Sequence, residues 1–119
     1  MERIRLVDVG ARGGIDARWK PFHSILEVIA FEPDADECSR LNTFAWPYAV
    51  KWIPAALGAA DGERVTLHIC KQPGCSSLLV PNDSLCRNFA YGPNMEVVRS
   101  VPLVLSRMDS VVGVQPDVI

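Results

Sequence analysis

Two carboxylates and a cluster of glycines carry the chemistry that can be read from this chain. Asp8 lies in the run Leu6-Val7-Asp8-Val9-Gly10-Ala11-Arg12-Gly13-Gly14, and Glu32 closes the run Ile29-Ala30-Phe31-Glu32-Pro33, 22 residues after Gly10. An ionised carboxylate offers acceptor sites to neighbouring hydroxyls, and glycine lets another molecule approach the backbone without a Cβ in the way. In a doubly wound α/β fold the ends of two such runs lie side by side. There they can hold an adenine nucleoside, with bare backbone on one side and a ribose-binding acid on the other.

The elements that must position these residues follow from local pattern. Ile4 to Val9 is a nearly all-apolar run with β-branched residues, as expected of a strand buried on both faces. Gly10 to Gly14 is the turn. Asp16 can cap a short helix through Arg18, Trp19 and Phe22, which Pro21 predicts to be broken or late-starting. Val28 to Phe31 is a second strand. Pro33-Asp34-Ala35-Asp36-Glu37 opens a helix running to about Asn42, with acids in the first turn where the helix dipole favours them. Val50 to Ile53 is a third strand, closed by Pro54. Strands separated by helices imply a parallel sheet with crossover connections.

The pattern then changes. Asp61-Gly62 signals a tight turn, and Arg64 to Cys70 alternates Val65, Leu67 and Ile69 against polar neighbours, predicting an antiparallel strand. Gln72 to Met95 reads as a long irregular stretch. Glu96 to Leu105 resumes strand character, Pro102 predicting an edge or bulge. Ser106 to Val112 reads as a short helix capped by Asp109, and Pro116 to Ile119 as the first step of another buried strand.

Bulk properties narrow the function classes. The 119 residues are enough for one domain with a real core, and 49% hydrophobic with 22% charged residues is a globular balance. A formal charge of −2 gives no broad basic surface, so neither nucleic acid nor an anionic membrane is expected as a partner. No apolar stretch approaches the roughly 20 residues of a membrane span, and no leader pattern precedes the first strand. Cys38, Cys70, Cys75 and Cys86 contain no C-x-x-C spacing and, with His23 and His68, complete no zinc pattern. The expectation is a cytoplasmic protein with free thiols and no metal.

Val7-Asp8-Val9-Gly10-Ala11-Arg12-Gly13-Gly14, Phe31-Glu32-Pro33-Asp34, Ala55-Ala56-Leu57-Gly58-Ala59-Ala60-Asp61-Gly62, Ser76-Ser77-Leu78 and Val101 through Asp109 occur in this order. The ordered set resembles the FkbM family of S-adenosylmethionine-dependent methyltransferases across nearly the whole chain. The resemblance implies a Rossmann-like class I methyltransferase fold, with parallel strands and crossover helices followed by antiparallel strands. It implies O-methylation of a hydroxyl on a small molecule or sugar. In that family the segment matching Pro116-Asp117-Val118-Ile119 runs into a lysine–acid–glycine motif on the acceptor side. Residues 1–119 therefore read as a single, incomplete domain, the cofactor-binding half, inactive when alone. Its open sheet edge or apolar face predicts self-association into a homo-oligomer.

The resemblance places S-adenosylmethionine on particular residues. Gly10, Ala11, Gly13 and Gly14 would pass along its methionine moiety. Asp8 would attract its ammonium, or else pin its own loop. Glu32, followed by Pro33, would accept the ribose hydroxyls. Arg12, where the family often has asparagine, would reach the cofactor carboxylate or stand in solvent. Ala55, Ala56 and Leu57 would line the adenine. Asp61 would accept from the adenine amino group or only close its turn, and Ser76 and Ser77 would cap a loop. No catalytic base is assigned: His23 and His68 are candidates by residue type alone, and Trp19, Trp46 and Trp52 read as packing residues. Two other readings stand beside this one. One is an NAD(P)-binding Rossmann oxidoreductase, although the turn is G-x-x-G-G where that class has G-x-G-x-x-G. The other is a non-catalytic domain that binds or associates.

Overall fold

The structure is a computed structural model that describes residues 2–119. The chain forms two compact units, Met1–Glu63 with Leu105–Ile119, and Arg64–Val104.

In the first unit, β1 (Ile4–Val9), β2 (Leu26–Phe31) and β3 (Ala49–Ile53) form a parallel sheet in the order β1-β2-β3. Leu6 pairs with Val28 and Val28 with Val50, so the apolar runs align across the sheet. β2 starts two residues earlier than its β-branched stretch suggests, because Leu26, only 1% exposed, anchors it in the core. Helix α1 (Ala35–Asn42) packs Cys38 and Leu41 into the same cluster as Leu6, Ala11, Leu26, Val28, Ala30 and Trp52. Its start is fixed by Asp34, whose side chain accepts the Asp36 N–H at 3.2 Å, and its end by Thr43, whose hydroxyl donates to Arg40 O.

The segment between β1 and β2 is a 3-10 helix, Ala17–Phe22, with the Asp16 side chain accepting the Arg18 N–H at its start. Pro21 lies within it and lacks the amide that a longer α-helix would need. None of its residues is buried.

After β3 the chain forms β4 (Ala56–Leu57), a two-residue strand parallel to the end of β6 (Val97–Ser106) at Leu105 and Ser106. Helix α3 (Met108–Val111) follows. Asp109 does not cap it, contrary to expectation: the N-cap is Arg107, without a side-chain cap, and Asp109 pairs with the Arg107 guanidinium at 3.3 Å. Asp61 anchors the start of the helix from a distant turn. Its Oδ1 accepts the Arg107 N–H at 2.6 Å and its Oδ2 accepts the Ser110 hydroxyl at 2.6 Å.

The chain then returns to β1. Val118 bridges Leu6 in parallel, and the Val7 N–H donates to Val118 O at 2.9 Å. Because β2 occupies one edge of β1, Val118 takes the other. Strand order thus runs outward from β1 in both directions.

In the second unit, β5 (Arg64–Cys70) pairs antiparallel with β6, from Arg64 opposite Val104 to Cys70 opposite Val97. Leu67 and Ile69 are buried while Arg64 and Thr66 are exposed, as the alternation requires. The register shift falls at Ile69/Cys70 rather than at Pro102, which stands opposite Thr66. The stretch read as irregular contains a 3-10 turn at Pro73–Cys75, helix α2 (Asp83–Cys86) and a 3-10 helix at Gly92–Met95. Among the described residues, no helix is long and apolar enough to cross a membrane.

Candidate functional site

β1 and β2 deliver the two carboxylates to neighbouring strand ends. Asp8 is the penultimate residue of β1 and pairs with Ala30; Glu32 immediately follows the last residue of β2. Where strand order reverses, at β1, open α/β sheets leave a crevice at their carboxyl ends. Here that region is an open depression of about 410 Å³, lined by Asp8, Asp16, Arg18, Trp19, Val118 and neighbouring β1 residues.

Asp8 is half-buried and, among the described residues, makes no hydrogen bond or ion pair. Burial, and secondarily the nearby Asp16, push its carboxyl above the usual range. The reading in which Asp8 pins its own loop is therefore not what the structure has. The Gly10 and Ala11 amides, which such pinning would use, both donate to Phe31 O at 2.9 Å.

The glycine turn is shaped by backbone that only glycine adopts easily. Gly10, Gly13 and Gly14 have φ of 77°, 80° and 107°. The turn closes on itself through Gly14 N–H to Ala11 O at 3.0 Å, and Gly13 N–H donates to Glu37 Oε1 at 3.1 Å. Ala11, 2% exposed, faces the core.

Glu32 is 3% exposed, and its Oε1 accepts the Asp34 N–H at 2.9 Å. Burial raises its pKa, outweighing that hydrogen bond and the nearby Arg12. Arg12 is neither solvated nor pointed away from the protein. Its Nη2 lies 2.5 Å from Asp34 Oδ2 and 4.0 Å from Glu32 Oε1, and its Nη1 lies 3.9 Å from Glu37 Oε2. Glu37, doubly bonded by Arg40 at 2.8 Å and taking the Gly13 amide, has its pKa pulled down to about 2. Asp34 and Glu37 were legible in the sequence only as helix-start acids. Their second role is to receive the lone arginine of the glycine turn.

Ala55 to Leu57 begin beside this cluster: Ile53 O accepts both the Glu32 N–H at 3.1 Å and the Ala55 N–H at 2.9 Å. Ala56 is buried, while Pro33 and Leu57 are half-buried. Asp61 accepts the Arg107 N–H and the Ser110 hydroxyl and so anchors α3. Ser76 Oγ accepts the Cys70 N–H and Ser77 Oγ the Leu79 N–H, both at 3.1 Å, as loop caps. His68 is half-buried against Ser100, with Nδ1 to Oγ at 3.2 Å, and His23 packs on the Tyr48 ring. Trp46 and Trp52 pack against each other in the first unit, and Trp52 Nε1 is a buried donor without a partner. A further depression of about 610 Å³ lies within the second unit between Asp83, Cys86, Arg87, Phe89, Pro93 and Glu96.

Among the described residues, no group of three or more His, Cys, Asp or Glu side chains is placed to hold a metal ion. Comparison with protein-family models, curated proteins and solved structures finds no match.

Proposed function

We propose that the first unit is the cofactor-binding half of a class I S-adenosylmethionine-dependent methyltransferase, acting in the cytoplasm on a hydroxyl of a small molecule or sugar. The observation that carries this reading is the state of Asp8: a half-buried carboxylate without a partner, at the carboxyl end of the strand where sheet order reverses. Such a group is costly unless a ligand cation occupies the site, and the ligand's ammonium is such a cation. Glu32 complements it at the adjacent strand end. A carboxylate has about four acceptor sites, and the Asp34 amide takes one, so acceptor capacity remains for a vicinal diol.

S-adenosylmethionine, when bound, supplies a methyl group made electrophilic by its sulfonium. The chain's own contribution is alignment: Asp8 would hold the ligand's ammonium and Glu32 its ribose, and the glycine turn lets it lie against backbone. No residue of the chain is assigned as base for the acceptor hydroxyl.

The dinucleotide reading fits less well. Pyrophosphate is held by free backbone amides at a helix start. Here the Gly10, Ala11, Gly13 and Gly14 amides are all engaged within the protein, and Asp34 and Glu37 add negative charge beside the turn.

Calorimetric titration of the 119-residue chain with S-adenosylhomocysteine and, separately, with NAD tests the proposal. Binding of the first, weakened about five- to a hundredfold by Glu32→Ala, is the expected result. Binding of NAD alone, or an unchanged affinity in Glu32→Ala, overturns it.

A further inference from the structure

We propose that Arg12 is the positioning residue of Glu32: anchored on Asp34, it stands close enough to hold the buried carboxylate ionised without occupying its acceptor sites. This inference rests on the reading of Glu32 as the diol-binding group and gives that site its charge control.

The geometry separates two roles that an arginine usually combines. The guanidinium makes its close contact, 2.5 Å, with Asp34 Oδ2. Its distance to Glu32 Oε1 is 4.0 Å, beyond a hydrogen bond but within Coulomb range of a carboxylate that is 4% exposed. A guanidinium bonded directly to Glu32 would compete with ligand hydroxyls for the same lone pairs. Held one residue pair away, it lends charge and leaves those lone pairs open.

The need for that charge follows from what surrounds Glu32. The side chain is almost fully buried, which is the main cost to its ionisation, and the Asp34 and Glu37 carboxylates add to that cost. Arg12 is the cation that faces it. Arg40 meets the same cluster only from the far side of Glu37, at 2.8 Å. A protonated Glu32 would keep one oxygen as a donor and lose the paired acceptors that two ribose hydroxyls require. Arg12 also ties the glycine turn to the start of α1, in parallel with the Gly13 N–H to Glu37 bond. Its position in the turn therefore sets the distance to Glu32.

Carboxyl-carbon NMR titration of Glu32 in the wild type, Arg12→Ala and Arg12→Lys tests this, alongside S-adenosylhomocysteine titrations at pH 6 and pH 8. The expected result is an upward move of the Glu32 midpoint by about one pH unit or more in Arg12→Ala, with most of it recovered in Arg12→Lys. Ligand affinity in Arg12→Ala should then fall more at pH 6 than at pH 8. A folded Arg12→Ala whose Glu32 midpoint stays in place overturns the inference, as does a loss of affinity equal at both pH values. Should Arg12→Ala not fold, Arg12→Lys and Arg12→Gln carry the comparison, and equal midpoints in that pair overturn it. A shifted midpoint in a protein that binds no S-adenosylhomocysteine would reject the cofactor reading while leaving the Arg12–Glu32 coupling standing.

Discussion

Gly14 lies directly over the indole of Trp46. A Cβ built on Gly14 would stand 2.8 Å from Cη2 and 3.2 Å from Cζ3 of that ring, and the glycine's φ of 107° is itself disfavoured for an L side chain. Trp46 has little freedom to withdraw, because its Nε1 donates to Leu41 O at 2.9 Å and its ring packs on Tyr48 and Trp52. Gly14→Ala should therefore destabilise the protein by roughly 1–3 kcal/mol, seen as a lower Tm. Combining it with Trp46→Leu should return part of the loss attributable to collision. Equal Tm values for Gly14→Ala and wild type would contradict this packing.

Asp8 sets stability against binding. Its carboxyl titrates above the ordinary value of 3.8 because burial and Asp16 disfavour the anion. For an acid whose folded pKa is raised, the charged form weakens the fold above that pKa, and the penalty disappears as pH falls below the unfolded value. Asp8→Asn should thus melt higher than wild type at pH 7, with the difference vanishing below about pH 4. It should also lose S-adenosylhomocysteine affinity by about tenfold or more. Differential scanning fluorimetry across pH, with and without ligand, reads both effects.

Glu37 works in the opposite sense. With its pKa lowered from 4.5 to about 2 by Arg40 and the Gly13 amide, it contributes stability that is fully present above pH 4.5 and lost as pH falls through about 2. Glu37→Gln should be less stable than wild type at neutral pH, and the two should converge in acid. The check is a pair of urea melts at pH 6 and pH 2. A constant difference would mean that the carboxylate's charge is not what matters.

The four cysteines are unpaired but not equally accessible. Cys38 and Cys70 are buried, and burial pushes both thiols up, whereas Cys75 and Cys86 are half-exposed. Iodoacetamide followed by peptide mass spectrometry should label Cys75 and Cys86 well before Cys38 and Cys70 under native conditions.

The outer edge of β3 has no strand partner among the described residues, and Val9, Phe44 and Ile119 in the same unit are exposed. Both features favour association of copies. Light scattering should give a mass that rises with concentration towards a dimer. A constant monomer mass up to about millimolar concentration would contradict it.

The parallel strands and α1 were legible within about two residues because buried β-branched runs and a proline–acid helix start are local signals. β4 was not, since two residues carry no period and its pairing comes from Leu105 and Ser106, far along the chain. At the site, sequence located Asp8, Glu32 and the glycine turn, whose meaning lies in residue type and spacing. It could not assign partners. Whether Arg12 meets Asp34, or Asp61 meets Ser110, depends on which strand ends the fold brings together. The Asp-Gly turn looked self-sufficient, yet its aspartate is an anchor for a helix 49 residues away.

The neck at Glu63 and Leu105 has a consequence for how the chain can vary. The Leu105 N–H donates to Glu63 O at 2.8 Å, and the Gly62 N–H donates back to Leu105 O at 3.0 Å. Everything from Arg64 to Val104 leaves and re-enters the first unit at one hydrogen-bonded doorway. A change of length between Arg64 and Val104 has to return the chain to this same pair of hydrogen bonds, because they fix where its two ends meet.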